Sequence, residues 1–284
     1  MRIDLHTHST ASDGTLPPAE LMAAAATAQL DVIALTDHDT TAGWDGAAAA
    51  LPAGVTLVPG AELSCVVPVA DRRVSLHLLA YLFDRTEPVF AEARARLRDS
   101  RLRRAHSIVD HMTADGLPIT WDRVQALSDG ASVGRPHIAR ALVQAGSAAT
   151  VDEAFAQLLN SRSAYYLPKD DMDAFAAVRA VRGAGGVSVF AHPLARRRGP
   201  VVGDDEIVAL AEAGLGGLEV DHTDHTAAER AHLRRLAADL HLVVTGSSDF
   251  HGSNKTVTLG TCTTDPAQYD ALVSAATGSR PVTA

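Results

Sequence analysis

Short apolar runs that alternate with helix-like segments constrain the fold of this chain more than any other feature. The runs at 31–36, 186–191 and 242–245 are short and almost continuously apolar, as buried parallel strands are. Alanine-rich or amphipathic segments typical of helices separate most of them. This alternation predicts an α/β protein with a mostly parallel sheet covered by helices.

Polar residues cluster where the predicted strands end, which favours a barrel. Strand ends converge in a parallel barrel, whereas an open sheet places its site near one switch point. We therefore expect a distorted barrel of seven strands. The predicted strands are 2–5, 31–36, 55–63, 74–83, 186–191, 217–220 and 242–245.

The strand–helix alternation stops between residues 86 and 171. Helical patterns replace it, punctuated by glycines, and the strands resume afterwards. We interpret residues 86–171 as a helical insertion that covers the active site of a barrel formed by 1–85 and 172–284. The helices predicted within the insertion are 92–115, 121–127, 136–146 and 151–159.

Composition excludes several classes of function. The net charge of −9 provides no overall basic field for long nucleic acids, although local basic patches remain open. The two cysteines form no Cys-x-x-Cys motif, which favours a reducing cytoplasm. The first strand begins too early for a signal peptide, and no apolar run approaches the roughly 20 residues that cross a bilayer. We expect no membrane association and no obligate protein partner.

The pair His6 and His8 is the first candidate metal site. Residues two apart on a strand point the same way, so both imidazoles face one point. A lone His-x-His is often only two solvated histidines, but acidic or histidine side chains recur at the other strand ends. The candidate metal ligands are His6, His8, Asp13, His38, Glu62, His77, His192, Asp249 and His251.

Six imidazoles and three carboxylates are too many ligands for one ion. Imidazole-rich sites suit Zn, Mn or Fe rather than Ca or Mg. Three divalent ions carry more positive charge than three carboxylates neutralise, and the surplus suits a phosphate substrate. Metal ions also activate water at neutral pH. The sequence therefore predicts two to three divalent ions (Mn, Fe or Zn) in a hydrolytic site.

The chain resembles the PHP (polymerase and histidinol phosphatase) family over nearly its full length. The matching motifs include DLHTHSTASDGT (4–15), ALTDHDT (34–40), VPGAELS (58–64), VFAHP (189–193) and GSSDFHG (246–252). The resemblance implies a distorted (β/α)7 barrel with a trinuclear site. It assigns His6, His8, Glu62 and Asp249 to one metal, Glu62, His77 and His192 to the second, and Asp13, His38 and His251 to the third.

Within that family, the insertion is most similar to that of stand-alone phosphoesterases. Its segments GRPHIARALV (134–143) and AYYLPK (164–169) resemble those of enzymes that act on nucleoside 3′,5′-bisphosphates and short 5′-phosphorylated oligonucleotides. The resemblance implies a metal-dependent phosphomonoesterase with a nucleotide substrate and with Asp249 and His8 as catalytic residues. Arg135 and Lys169 are candidate phosphate contacts, because their cations bind oxyanions.

Several neighbouring polar residues are weaker candidates. Glu219 ends the strand 217–220. His222 and His225 follow on the next loop and are expected near the leaving group. Asp4 shares the parity of His6 and is expected to hydrogen-bond a ligand histidine.

Other functions remain open at this point. They are a histidinol-phosphate-type phosphatase, a metal-dependent amide or lactone hydrolase, and a non-enzymatic domain that docks on a polymerase. The last would be indicated by lost ligands or by fusion to a polymerase chain, and neither is present.

Overall fold

The computed structural model of the protein describes residues 1–128, 132–160, 162–168 and 170–284. Lys169 lies outside the described residues. The strands are β1 (Ile3–Asp4), β2 (Val32–Leu35), β3 (Thr56–Val69), β4 (Arg72–Tyr81), β5 (Met172–Asp173), β6 (Val187–Ala191), β7 (Gly217–Asp221), β8 (Val243–Gly246) and β9 (Val282–Thr283). The helices are α1 (Pro18–Thr27), α2 (Trp44–Ala49), α3 (Pro88–Ala114), α4 (Trp121–Ser128), α5 (Arg135–Gln144), α6 (Val151–Ala154), α7 (Ala174–Gly183), α8 (Asp204–Glu212), α9 (Ala227–Asp239) and α10 (Pro266–Ala275).

Seven of the strands form a nearly closed barrel, as predicted. They pair in the order β1-β2-β3-β4-β6-β7-β8, while the short strands β5 and β9 both pair with β3. β4 runs antiparallel to β3 and β6, and the other neighbours on this path are parallel. Beyond β1 and β8, Thr7 and Phe250 form a parallel bridge that brings the two edges together.

Alternation along the strands separates two apolar layers. On β2, Val32 and Ala34 point into the barrel, where they pack in the same cluster as Ile3, while Ile33 and Leu35 pack in the cluster beneath the outer helices. The barrel interior also contains apolar side chains of α10, a helix that the sequence analysis missed. Asp265 caps this helix by accepting a hydrogen bond from the amide of Ala267 at 2.8 Å.

The helices between β4 and β5 have an apolar cluster of their own. It consists of buried side chains from the second half of α3 and from α4, α5 and α6. α3 begins earlier than predicted because Glu87 caps it, accepting a hydrogen bond from the amide of Phe90 at 2.7 Å. The predicted helix 151–159 is an α-helix only to Ala154 and continues as a π-helix over Phe155–Leu159. The division of the chain at residues 85 and 172 stays a prediction.

β3 is longer than the sequence analysis predicted. It continues past residue 63 because its second half forms a hairpin with β4, with Ser64 opposite His77 and Val69 opposite Arg72. The hairpin makes Glu62 an internal strand residue whose carboxylate lies beside His77. Both cysteines are free thiols. No helix in the described ranges has the length and hydropathy to cross a membrane.

Candidate metal centre

The nine candidate ligands converge at one end of the barrel. Most follow parallel strands directly, whereas Glu62 and His77 lie within β3 and β4. His192 and Asp249 have positive φ angles of 34° and 53°, which non-glycine residues rarely adopt. Strained backbone of this kind is typical of residues that the surrounding fold holds in place for function.

Four ligand atoms form the most compact group. Nε2 of His6 and Nε2 of His8 are 3.1 Å apart, and they lie 3.2 and 3.1 Å from Oε2 of Glu62. Each nitrogen is also 3.5 Å from Oδ1 of Asp249. Ligands at the usual metal distances of a tetrahedral zinc site are separated by roughly 3.3–3.6 Å. These four residues are thus spaced as ligands of one transition-metal ion.

Two further groups share residues with the first. Around Asp13 lie His38, with its Nε2 3.5 Å from Oδ2, and His251, with its Nε2 3.4 Å from Oδ1. The other oxygen of Glu62, Oε1, lies 2.7 Å from Nδ1 of His77 and 3.2 Å from Nε2 of His192. Nδ1 of His38 is 3.2 Å from Glu62 Oε2. His38 therefore lies between the second and third predicted sites rather than within one.

The residues present fit divalent ions. Eight of the nine side chains are buried and His77 is partly buried. The ligand atoms lie within 4.8 Å of one another in three groups, which are His6, His8, Glu62 and Asp249; His8, Asp13, His38 and His251; and His38, Glu62 and His77. Nδ1 of His38 and Nδ1 of His77 are buried and form no hydrogen bond, although Oε2 and Oε1 of Glu62 lie 3.2 and 2.7 Å from them. Buried polar atoms are rarely left unpaired, so converging lone pairs on imidazole and carboxylate indicate cation sites.

Protons compensate for this concentration of carboxylates when no metal is bound. Burial disfavours imidazolium at His6, but the charges of Glu62 and Glu219 outweigh burial and raise the pKa of His6. Burial likewise opposes the charged form of His8, and hydrogen bonds to Asp249 and Glu62 raise its pKa to about 9. Protons on two ligand histidines thus occupy positions that a metal ion would take.

Glu219 orients two of the ligand residues from outside the group. This fully buried carboxylate accepts a hydrogen bond from Nδ1 of His6 at 3.0 Å and one from the backbone amide of His192 at 2.7 Å. Its Oε1 also accepts a short hydrogen bond from the hydroxyl of Ser247. Because Nδ1 of His6 donates to Glu219, its Nε2 is left as the metal-facing nitrogen.

Asp4 contacts a ligand histidine through the backbone rather than the imidazole ring. Its carboxylate accepts hydrogen bonds from the amides of His6 at 3.4 Å, Ser248 at 3.0 Å and Gly260 at 2.9 Å. Glu219, which ends β7, has both carboxylate oxygens hydrogen-bonded to His6, Ser247 and His192, so it supports the ligand residues. Strand parity could not show that Glu219, rather than Asp4, bonds the His6 imidazole, because Glu219 reaches His6 across the barrel.

The loop that carries His8 and Asp13 is held by a second buried carboxylate. Asp37 accepts hydrogen bonds from the amide of Ser9 at 2.8 Å and from the hydroxyl of Ser12 at 2.7 Å. Gly14 lies directly against His8, since a Cβ at Gly14 would be 2.4 Å from the His8 carbonyl oxygen. The small residues of this loop therefore allow Asp13 to fold back over the metal ligands.

Asp249 joins the metal ligands to two cations. While Oδ1 faces His6 and His8, Oδ2 accepts hydrogen bonds from Arg198 at 2.7 Å and Lys255 at 2.6 Å. Burial would raise the pKa of Asp249, but Lys255 and Arg198 hold it well below its usual value. Lys255 was not among the residues selected from the sequence, because nothing in its local pattern separates it from an exposed loop lysine.

A cavity of about 1550 Å³ opens above the ligands. Its described lining includes nine arginine and lysine side chains and five carboxylates, of which Asp13, Glu62 and Asp249 belong to the metal-ligand groups. Arg135 borders it, with Nη1 donating to the carbonyl of Leu159 at 2.9 Å and the guanidinium 5.6 Å from the ring of Phe155. The cavity is therefore cationic although the whole chain is acidic.

The two histidines after β7 differ in whether a ring nitrogen is left free to contact a substrate. Both ring nitrogens of His225 are used, since Nδ1 donates to the carbonyl of Val220 at 2.8 Å and Nε2 accepts from the amide of Leu194 at 3.1 Å. This arrangement argues against a substrate contact by His225. Nε2 of His222 is buried without a hydrogen-bond partner and lies 3.6 Å from Oδ2 of Asp249.

Comparison with known proteins identifies the class of this fold and site. The model of the PHP domain matches residues 4–159. A 5′-3′ exoribonuclease of Haemophilus influenzae is 34% identical over 251 residues, which cover 88% of this chain and 90% of that protein. A 3′,5′-nucleoside bisphosphate phosphatase of Chromobacterium violaceum is 33% identical over 252 residues, with 88% and 87% covered.

A solved structure agrees with these relatives. It is a crystal structure from Bifidobacterium adolescentis, described as that of an inferred metal-dependent phosphoesterase, with 37% identity and a TM-score of 0.89. The superposition covers 97% of this chain and 96% of that chain. The protein described here belongs to the PHP domain family. It is a metal-dependent phosphoesterase with His/Asp/Glu groups able to bind metal ions.

Proposed function

We propose that the enzyme hydrolyses the 3′-phosphate of nucleoside 3′,5′-bisphosphates, for example converting adenosine 3′,5′-bisphosphate to AMP. The observation that carries this proposal is the presence of cationic groups on two sides of one cavity. Arg198 and Lys255 contact Asp249 beside the metal ligands, while Arg104 and Arg135 border the cavity from the insertion. Two phosphates of one nucleotide would engage the two sides. The names of relatives in both the phosphatase and exoribonuclease groups support a nucleotide substrate.

We assign the nine clustered side chains to two or three divalent ions. Bound Mn, Fe or Zn ions would supply Lewis acidity and activate water at neutral pH. His6, His8, Glu62 and Asp249 would hold one ion, while His38, His77, His192, Asp13 and His251 would complete the others together with Glu62. His8 and Asp249 are essential in this scheme because each contributes a ligand atom to the most compact group.

The contacts of Asp249 suggest how substrate binding assists proton transfer. A substrate phosphate would compete with this carboxylate for Arg198 and Lys255. Once those cations turn to the phosphate, the Asp249 carboxylate loses the two charges that lower its pKa most and becomes a better proton acceptor. His222, with its unpartnered Nε2, is the candidate donor to the leaving oxygen.

Arg135 and Lys169 are proposed to bind the phosphate that is not cleaved. Binding energy from a remote phosphate can position the reacting one, so its removal costs rate as well as affinity. Trimming of short 5′-phosphorylated oligonucleotides is the second candidate activity, which the cavity of about 1550 Å³ favours because it exceeds the volume of typical small-ligand pockets.

Hydrolysis assays with four substrates test the proposal, with phosphate release as the readout for the three phosphomonoesters. Adenosine 3′,5′-bisphosphate should react much faster than 3′-AMP, which lacks the second phosphate, and faster than histidinol phosphate. A 5′-phosphorylated trinucleotide would report the second activity through chromatographic detection of the released nucleoside 5′-monophosphate, because trimming frees no inorganic phosphate. Equal rates with the bisphosphate and 3′-AMP would refute the two-phosphate scheme, and a preference for histidinol phosphate would assign the enzyme to another substrate class.

A further inference from the structure

Tyr166 combines exposure with a cationic neighbour at the cavity. It is 39% exposed and borders the cavity, whereas the other exposed large apolar side chains among the described residues, Met1, Val89 and Leu102, do not. The Arg104 guanidinium lies 5.5 Å from the Tyr166 ring, and its Nε donates to the carbonyl of Leu167 at 2.7 Å. Arg104 therefore supports the ring and fixes its orientation.

A second pair of the same type lies in the same wall of the cavity. Arg135 is placed over the ring of Phe155, and both residues line the cavity. Within the described part of the chain, neither Arg104 nor Arg135 forms an ion pair with a carboxylate. Burial, followed by repulsion from Arg135, lowers the pKa of Arg104 to about 10. The Asp171 carboxylate attracts both guanidinium groups, but neither of them forms an ion pair with it, so this wall is suited to an anionic ligand.

Alternating cations and aromatic rings are the features by which proteins bind single-stranded nucleic acids. The cations follow the phosphates, and bases stack on the rings independently of sequence. A nucleoside that bridges the metal ligands and Arg135 would project its base, or the next nucleotide, along this wall. The exposed part of the Tyr166 ring offers a flat surface there.

We propose that Tyr166, supported by Arg104, is a stacking platform for a nucleobase of the substrate. The ligand class is a purine or pyrimidine base within a phosphorylated nucleotide or short single strand. This inference rests on the proposed function, because it assumes that the phosphates of a nucleotide lie on the metal side and on Arg135. It adds that the base itself contributes to affinity, without hydrogen-bond selection of its identity.

Fluorescence titration with a modified trinucleotide tests this platform. The probe is a 5′-phosphorylated trinucleotide with 2-aminopurine at its second position and cleavage-resistant linkages between its nucleotides, added to the metal-loaded enzyme. A matched trinucleotide that lacks the base at that position reports binding through the phosphates alone. Stacking on Tyr166 should quench the 2-aminopurine emission. Tyr166→Leu should abolish the quenching and weaken binding of the base-containing probe about 5- to 150-fold.

Three variants separate stacking from folding and from charge. Tyr166→Phe should keep both quenching and affinity, because the ring remains. Arg104→Gln should weaken both probes, whereas Arg103→Gln, at an exposed position of α3 outside the cavity lining, should change neither. The platform is refuted if Tyr166→Leu binds the base-containing probe as wild type does, or if it weakens both probes equally.

The two proposals fail in different ways. Wild-type protein that hydrolyses the bisphosphate but shows no Tyr166-dependent quenching would refute the platform and leave the proposed function standing. Wild-type protein that binds neither probe and releases no phosphate from nucleotides would overturn both.

Discussion

Replacing Glu219 by glutamine should weaken metal binding although Glu219 touches no proposed metal position. In the native protein, its Oε1 accepts from His6 and Ser247, and its Oε2 accepts from the backbone amide of His192. A glutamine has one carbonyl oxygen and one NH2 group. Whichever way the amide is oriented, its NH2 faces at least one of these donors. Either the His6 tautomer or the position of His192 is then lost.

The size of the effect follows from these contacts. Outer hydrogen-bond partners of metal-binding histidines typically contribute about 10- to 100-fold to metal affinity, which corresponds to about 1.4–2.8 kcal/mol. We expect the upper half of this range, because Glu219 is fully buried and bonds two ligand residues at once. The metal-free variant should also be less stable, because a buried imidazolium at His6 loses one of its counter-charges.

Metal affinity is measured by competition with a chromophoric chelator, and stability by thermal unfolding of metal-free protein. Glu212→Gln, the same change at an exposed position at the end of α8, is the matched control and should alter neither quantity. Ser247→Ala should fall between wild type and Glu219→Gln, because it removes only one of the three hydrogen bonds. Native metal affinity in Glu219→Gln would refute the argument that this carboxylate selects the His6 tautomer.

The remaining predictions concern the metals and the phosphate contacts. Protein purified from metal-supplemented medium should contain two to three Mn, Fe or Zn ions per chain by elemental analysis, and full activity after exhaustive chelation would contradict the metal assignment. His8→Ala and Asp249→Ala should abolish turnover and lower the metal content. Arg135→Ala should keep its metals but lose roughly 10- to 150-fold in kcat/KM, as expected for a charge-assisted contact of about 1.5–3 kcal/mol. Since the pKa of His8 is raised to about 9, metal binding near pH 7 should release protons, and the release should decline as the pH rises past 9. Calorimetry in buffers of different ionisation enthalpy measures that release, and a pH-independent value would contradict it.

The amino-acid sequence determined the fold class and the set of clustered ligands, because both depend on local patterns. A strand of alternating parity places His6 and His8 on one side, and polar residues at the ends of parallel strands meet at one edge of a barrel. These rules operate over a few residues. They therefore hold before the register or closure of the barrel is known.

Only the tertiary structure decided which groups act on those ligands. Glu219 lies 213 positions from His6 in the chain, and Arg198 lies 51 positions from Asp249, so no local period relates them. Their contacts exist because the barrel closes between β1 and β8 and because the Arg198 loop folds over the strand ends. The same holds for His38, which belongs to two groups because its ring nitrogens lie 3.2 Å from Glu62 and 3.5 Å from Asp13. Sequence patterns specify the face of a strand on which a side chain lies, whereas packing across the barrel sets which atoms meet.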